Sequence, residues 1–452
     1  TQSPFAKAAL SAVPPELRTM RTYRRWSRFL TDADDWDRPD VERWQLTRLR
    51  SIVRYAWENT EGYRGLFRAA GLVPDDIRTL NDIHHLPYTN KELFQRDLPA
   101  FTVKGLRTRY VTTGGSTGIP FGFFQTVDQR YVEEAFVHAA WARFGWRLGQ
   151  RVAVLRGTFV GTVEKPYEYD PYARQLNLSS YFLTAKTLPT YIAALRKYGI
   201  RTLQAYPSAI NHLIDLLRQQ PIEHPPTIEL VLLASENAYG WLIEKIHAQF
   251  PGAQIFDFYG HSERVILASW CEHRRTYHSN PFYGITEILD GDSEASPGSI
   301  GELVGTSFHN LATPFIRYRT MDLALKDKVG CEGCGRPWLQ LERIEGRAHE
   351  VILTADRRQI SMTAINMHDS LFDMLLQFQF RQDTPGQLEF CYVPRQSLAD
   401  VEVQRIRAGL VRKLGDDVTL TVKAVSSIPR TAAGKYRFLD QRLDKSYFAT
   451  VK

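Results

Sequence analysis

Apolar residues recur at helical spacing through the first hundred positions. Over 48–66, Leu49, Ile52, Val53, Ala56 and Trp57 fall on one face, and the spacing predicts an amphipathic helix ahead of Gly62-Tyr63. Leu86-Pro87 and Thr89 then read as a loop and a cap before Lys91-Glu92-Leu93-Phe94. Further on the period alternates. Helical patterns at 132–144, 187–198, 209–219 and 241–250 interleave with short apolar runs at 151–160, 202–205, 230–234 and 254–258. Such alternation predicts a mostly parallel sheet with helices outside. From about Gly284 the runs shorten and turns crowd in, at 284–289, 301–306 and 315–319, which reads as antiparallel structure. The stretch from Gly346 onward has strand, helix and strand signals of its own. The expected architecture is α/β: a large N-terminal domain over 1–345, with mostly parallel sheets flanked by helices plus an antiparallel subdomain, and a small mobile α+β C-terminal lid over 346–452.

Composition supports a globular chain of more than one domain. There are 452 residues, too many for one ordinary core. Apolar residues make up 43% and charged residues 24%, which excludes a disordered chain. No apolar run reaches the roughly 18 residues that span a bilayer, and 1–17 lacks a signal-peptide core, so a cytoplasmic location is expected. The net charge is +7, yet 50 acids accompany 57 bases. Arg18, Arg21, Arg24, Arg25 and Arg28 form a basic face on a helix, which suits an anionic surface or plain solvent. Asp32, Asp34, Asp35 and Asp37 follow at once, so a solvated face is the preferred reading and no nucleic-acid partner is expected. Four cysteines are present, Cys271, Cys331, Cys334 and Cys391. A CxxC pair in a chain of this kind suits a metal better than a disulfide.

Four motifs carry chemistry. Thr112-Thr113-Gly114-Gly115-Ser116-Thr117-Gly118 offers backbone amides and hydroxyls to a phosphate. It is not a Walker loop, since no Lys-Ser/Thr follows the last glycine, and alone it also fits a plain turn. Asp257-Phe258-Tyr259-Gly260-His261-Ser262-Glu263 follows a strand, where functional residues of open α/β sheets gather. An acid there holds magnesium on a triphosphate, or is a surface glutamate. In Arg317-Tyr318-Arg319-Thr320-Met321-Asp322, the aspartate can accept from two ribose hydroxyls, or the segment is a charged surface strand. Finally, Ile428-Pro429-Arg430-Thr431-Ala432-Ala433-Gly434-Lys435 puts a lysine on a Gly-containing loop, free to meet a carboxylate and a phosphate or only solvent.

In this order and at these separations the motifs resemble the superfamily of AMP-forming acyl-adenylate synthetases. The branch they resemble is the phenylacetate-CoA ligase family, CapK-like proteins included. Supporting stretches are Tyr55-Ala56 to Tyr63, Leu86-Pro87-Tyr88-Thr89-Asn90-Lys91, Tyr206-Pro207-Ser208, Tyr259 to Arg264, and Cys331 to Arg336. The resemblance implies ATP-dependent activation of a small, aromatic carboxylic acid, with ATP and Mg2+ as cofactors. Thr113, Ser116 and Thr117 would hold the β,γ-phosphates. Ala234, Ser235 and Glu236 would pack on the adenine, with Asp257 at its amino group, Tyr259 stacked on it, and Phe258, Gly260 and Ser262 alongside. Glu263 would bind magnesium, Asp322 the ribose, and Arg347 the nucleotide near the hinge. Lys435 would bridge the substrate carboxylate and the α-phosphate. His138, Trp141, Tyr206 and His261 are candidates for the acid pocket, since planar acids suit aromatic walls. Cys271, His278, Cys331 and Cys334 form a plausible zinc set, with His273 the rival fourth ligand and Cys391 a core cysteine.

The chain also departs from the pattern. Met321 replaces the usual Gly beside the ribose aspartate, His349 replaces the usual hinge Asp or Lys, and Leu353-Thr354-Ala355-Asp356 replaces an Arg-Gly that helps line a pantetheine tunnel. A titrating His349 would make lid rotation pH-sensitive. Two acceptors stay open: a thiol such as CoA, or a carrier protein, amine or hydroxyl. The altered hinge and the CapK-like resemblance lean toward the second.

Overall fold

A computed structural model describes residues 19–112, 121–156, 160–220, 222–223, 226–347, 351–356, 359–360, 374–415, 417–429 and 437–444. The chain divides into two compact units. One holds Ala12–Gly149 and Phe256–Ile344, and the other joins Gln150–Ile255 to the chain from Glu345 onward.

The second of these is built on the alternating segment. Strands Gln175–Ser179, Val152–Arg156, Thr202–Ala205 and Leu230–Leu233 pair in parallel, with Gln254–Phe256 beyond them and Tyr167–Asp170 antiparallel at the other edge. Every residue of Leu230–Leu233 is buried, as expected of a strand covered on both faces. Helices Leu188–Lys197, Pro207–Gln219 and Gly240–Gln249 connect the strands. The C-terminal part forms a four-stranded sheet in the order Thr419–Ala424, Gln387–Pro394, Leu375–Thr384, Leu439–Gln441. Helix Asp400–Leu414 buries Ile406, Leu410 and Leu414 in a core with Phe380 and Phe390. Phe438 meets Tyr239 at 5.3 Å and Trp241 at 6.1 Å between ring centroids. Nearby, the buried Asp215 carboxylate takes Lys245 at 2.7 Å and also Arg395.

The other unit carries an eight-stranded sheet in which Gly284–Asp290, Ile300–Ser307 and Tyr318–Val329 form an antiparallel run, joined through Leu339–Arg347 to Tyr277–Ser279, Leu267–Trp270 and the edge strand Phe258–Gly260. Helices Arg21–Asp32 and Arg38–Asn59 and the turn between them pack aromatic side chains on it: Phe29, Trp44 and, from the turn, Trp36 meet Phe282 edge-on. A hairpin, Thr108–Thr112 with Gly122–Thr126, leads into and out of 113–120.

Two expectations are refined. The 48–66 pattern is not one helix: Arg38–Asn59 ends at Thr60, which donates to Ala56 O at 2.7 Å and caps Glu61–Ala69. The β-region backbone of Thr60, φ −135° and ψ 138°, cannot continue a helix. The strand expected at 315–319 begins later, at Tyr318. Arg317, buried and at φ +45°, turns the chain before the ladder starts.

Candidate functional site

The edge strand Phe258–Gly260 and strand Tyr318–Val329 bring two acids and two tyrosines together. The Tyr259 hydroxyl donates to Asp322 Oδ2 at 2.6 Å. Glu263 accepts from the Tyr318 hydroxyl at 3.2 Å, and its other oxygen lies 3.2 Å from His261 Nδ1. Burial alone would raise the Glu263 pKa. The hydrogen bond and charge of His261, with the Tyr318 hydroxyl, outweigh it and hold the carboxyl below its ordinary range. An enclosed carboxylate kept ionised is suited to a cation. Gln125, from the hairpin, donates to Ser262 O at 2.9 Å and ties this loop to the strand that leaves 113–120. Met321 sits exposed at φ +64°; this left-handed backbone is one where glycine is unstrained.

Asp257 is placed differently. It is buried, its Oδ2 accepts from the Tyr277 hydroxyl, and its Oδ1 has no protein partner. Desolvation pushes its carboxyl up to about 7. Phe258 stacks on Phe256 at 6.0 Å.

Ala234, Ser235, Glu236 and Tyr206 lie in the other unit. Glu236 accepts from Ser208 N at 2.8 Å and Ser208 Oγ at 3.0 Å, a negative charge at the N-terminus of helix Pro207–Gln219. Ser235 is left-handed at φ +70°. The Arg156 guanidinium lies 5.9 Å from the Tyr206 ring centre.

Of the four residues expected to line an acid pocket, His138, Trp141 and His261 belong to one unit and Tyr206 to the other. His138 accepts from or donates to the Tyr23 hydroxyl at 3.0 Å and packs on Trp146 at 4.3 Å and Trp141 at 5.3 Å. Burial pushes His138 down to about 4, so it is neutral. His261 instead accompanies Glu263. Thr113, Ser116, Thr117, His349 and Lys435 lie outside the described residues, and Arg347 ends the strand Leu339–Arg347.

Cys271, His278, Cys331 and Cys334 converge. Their ligand atoms all lie within 4.8 Å of one another. Cys271 Sγ to Cys331 Sγ is 3.9 Å, and Cys334 Sγ to His278 Nδ1 is 3.8 Å. A tetrahedral ion with bonds of about 2.3 Å would separate its ligands by roughly 3.8 Å. Burial pushes His278 down to about 4, leaving the neutral ring a metal needs. His273 is exposed and contributes only its backbone amide, donating to Cys271 Sγ at 3.4 Å. The choice between the two histidines thus falls to His278. Cys391 is buried in the C-terminal sheet.

Sequence reasoning assigned no role to Tyr318, which holds Glu263, or to Arg317, whose buried guanidinium grips Glu287 at 2.8 Å and 3.1 Å. Tyr318 stood inside the ribose-acid motif, so strand alternation was a usable signal. Arg317 and Glu287 are thirty positions apart and gave none.

Comparisons with known proteins agree with this layout. Residues 352–441 match the family model described as the CapK C-terminal domain. Phenylacetate-coenzyme A ligase of Pseudomonas putida is 28% identical over 348 residues, covering 74% of this chain and 77% of the relative. Protein CapK of Staphylococcus aureus is 21% identical over 422 residues, covering 88% and 89%. Among solved structures, 2-hydroxyisobutyryl-CoA ligase in its postadenylation state has a TM-score of 0.72 at 18% identity, over 90% of both chains. An open conformation of that ligase has a TM-score of 0.57 at 19% identity, over 88% of this chain and 91% of that one. The fold is shared with these solved CoA ligase structures. In sequence the chain is similar to the phenylacetate-coenzyme A ligases and to CapK.

Proposed function

We propose that this chain is an AMP-forming carboxylic acid ligase, which activates a small, aromatic acid to its acyl-adenylate and passes the acyl group to the thiol of CoA. The observation that carries the reading is the paired arrangement of Tyr259 on Asp322 and of His261 and Tyr318 on Glu263. It sets a carboxylate able to accept ribose hydroxyls beside an ionised carboxylate able to hold a cation. Magnesium, when bound, offsets charge on the triphosphate, and Glu263 is the residue that would hold it.

In the first half-reaction a substrate carboxylate oxygen bonds to the α-phosphorus while the bond to pyrophosphate breaks, and pyrophosphate leaves with the electron pair. Lys435 would neutralise the charge gathering on the carboxylate and α-phosphate, while Thr113, Ser116 and Thr117 hold the departing phosphates. In the second, the CoA sulfur bonds to the acyl carbon, its proton is lost, and AMP leaves. CoA is favoured over a carrier protein, amine or hydroxyl because the phenylacetate relatives bear coenzyme A in their names. The other acceptors rest on the CapK-like resemblance and on hinge residues that include His349, outside the described residues.

The division of labour proposed along the chain is a nucleotide- and acid-binding part over 1–345 and a lid over 346–452. Cys271, His278, Cys331 and Cys334 would hold a structural zinc. Lys435→Ala tests the mechanism. Carboxylate-dependent ATP–pyrophosphate exchange should fall at least about a hundredfold while ATP binding is largely kept; equal exchange by variant and wild type would sink it.

A further inference from the structure

The basic helix singled out in the sequence has a use that the adenylation chemistry does not absorb. A cavity of about 540 Å³ opens in the unit that carries this helix, within the size range of small-molecule sites. Arg25 and Trp26 come from helix Arg21–Asp32, Arg48 from helix Arg38–Asn59, Arg107 from the root of the hairpin, Gln129 from helix Gln129–Ala142, and Leu311 from a loop. Among the described residues, none of the three arginines is paired with a carboxylate. Arg48 gives one N–H to Phe308 O at 3.0 Å, but its Nε is buried with no partner. Burial and the neighbouring Arg25 charge both disfavour its charged form. The Gln129 Oε1 atom is likewise buried without a partner. One acid, Asp128, also lines the cavity; three arginines against it leave an excess of two positive charges.

We propose that this cavity binds a phosphorylated small molecule, its phosphates on Arg25, Arg48 and Arg107 and its planar or apolar body on Trp26 and Leu311. Two excess charges match a phosphate dianion better than a single carboxylate, and guanidinium forks match phosphate oxygens in geometry. A ligand N–H or O–H would satisfy Gln129 Oε1. The site lies at the root of the hairpin. Arg107 and Val127 flank the root of the hairpin, where Val127 N bonds Arg107 O at 3.2 Å, whereas 113–120 leaves from the far end, Thr112 and Gly122. Five strand residues place those ends roughly 17 Å apart. The proposal therefore does not rest on the adenylation reading.

Equilibrium dialysis of the full chain against labelled adenosine 3′,5′-bisphosphate, and separately against pyrophosphate, tests it. Arg25 and Arg107 are exposed, so Arg25→Ala and Arg107→Ala spare the fold, and each should weaken both probes about tenfold or more. Tighter binding of the bisphosphate would show that the apolar wall takes part. Asp322→Ala should leave bisphosphate binding unchanged. The proposal is overturned by binding that ignores both arginine substitutions, or by loss of binding in Asp322→Ala, which would put the probe at the ribose acid. It is also overturned if sulfate competes as well as the bisphosphate, marking a general anion patch. A single-stranded oligonucleotide that binds more tightly than either probe and depends on Arg21, Arg24 and Arg28 would replace it with a nucleic-acid surface.

Discussion

Asp257 and Glu263 are six positions apart, and burial acts on both, yet their carboxyls are shifted in opposite directions. Glu263 has a histidine and a hydroxyl to keep it ionised; Asp257 has one tyrosine and an unpartnered oxygen. A carboxyl whose pKa is raised on folding keeps its proton in the native state after the unfolded chain has lost it. Its contribution is fully present below the unfolded value, near 3.8, and is lost as pH rises through about 7. Asp257→Asn removes that dependence. The variant should match wild type near pH 4 and exceed it by about 4 kcal/mol at pH 8, read from thermal melts at the two pH values; an equal shift at both would refute the assignment. Arg317 makes the contrasting case. Its guanidinium serves Glu287, His84 O and Leu86 O and stacks 4.1 Å from the Tyr88 ring centre. Arg317→Ala leaves the buried Glu287 carboxylate with His84 Nδ1, 3.2 Å away, and no guanidinium, so denaturant unfolding should show a loss of about 3–5 kcal/mol. A loss under 1 kcal/mol would mean that water reaches the site.

Among elements, period and punctuation were readable and tertiary kinks were not. Strand Thr202–Ala205 falls where its apolar run predicts, and helices Leu188–Lys197 and Gly240–Gln249 fall within a residue or so. The break at Thr60 was hidden because the apolar period runs on across it from Ala56 to Tyr63. The Thr108–Thr112 and Gly122–Thr126 hairpin was not legible because its first strand, with no buried residue, shows no apolar alternation. The cysteine turns were legible as a set, while the partner histidine needed coordinates. In the strand register Ser269 lies opposite His278, which brings that ring to the turn after Cys271. If those four side chains hold zinc, the ion joins strands Leu267–Trp270 and Tyr277–Ser279 to the 331–334 turn. Chelation should then release about one zinc per chain and lower the melting temperature by several degrees. Cys331→Ser should arrive metal-free and already destabilised. Full metal content in Cys331→Ser would dismiss the site.

For the molecule as a whole, the contacts that hold the C-terminal segment to the rest of its unit include Phe438 on Tyr239 and Trp241, and Arg395 on Asp215. Asp215 keeps Lys245 when Arg395 is removed, so the substitution loosens this hold without stranding a buried charge. Hydrogen exchange on strands Leu375–Thr384 and Gln387–Pro394 should quicken by up to about tenfold in Arg395→Ala, and unchanged exchange would show that the Arg395 contact does not hold the segment. None of these pairings was visible in the sequence, where 180 positions separate Asp215 from Arg395. The adenylating motifs were visible because ligand chemistry confines residue types locally, whereas long-range pairs leave no such local mark.

The division of the chain also has a consequence for its synthesis. The unit built from Gln150–Ile255 and the chain from Glu345 onward is interrupted by 256–344, which completes the other unit. A ribosome therefore delivers every residue of one unit before it delivers the closing half of the other. The parallel sheet and its helices must wait with Tyr239, Trp241 and Asp215 uncovered until Arg395 and Phe438 emerge. That interval, set by translation speed, is when a chaperone has most to protect, and a stalled or truncated message would leave the same surface bare for good.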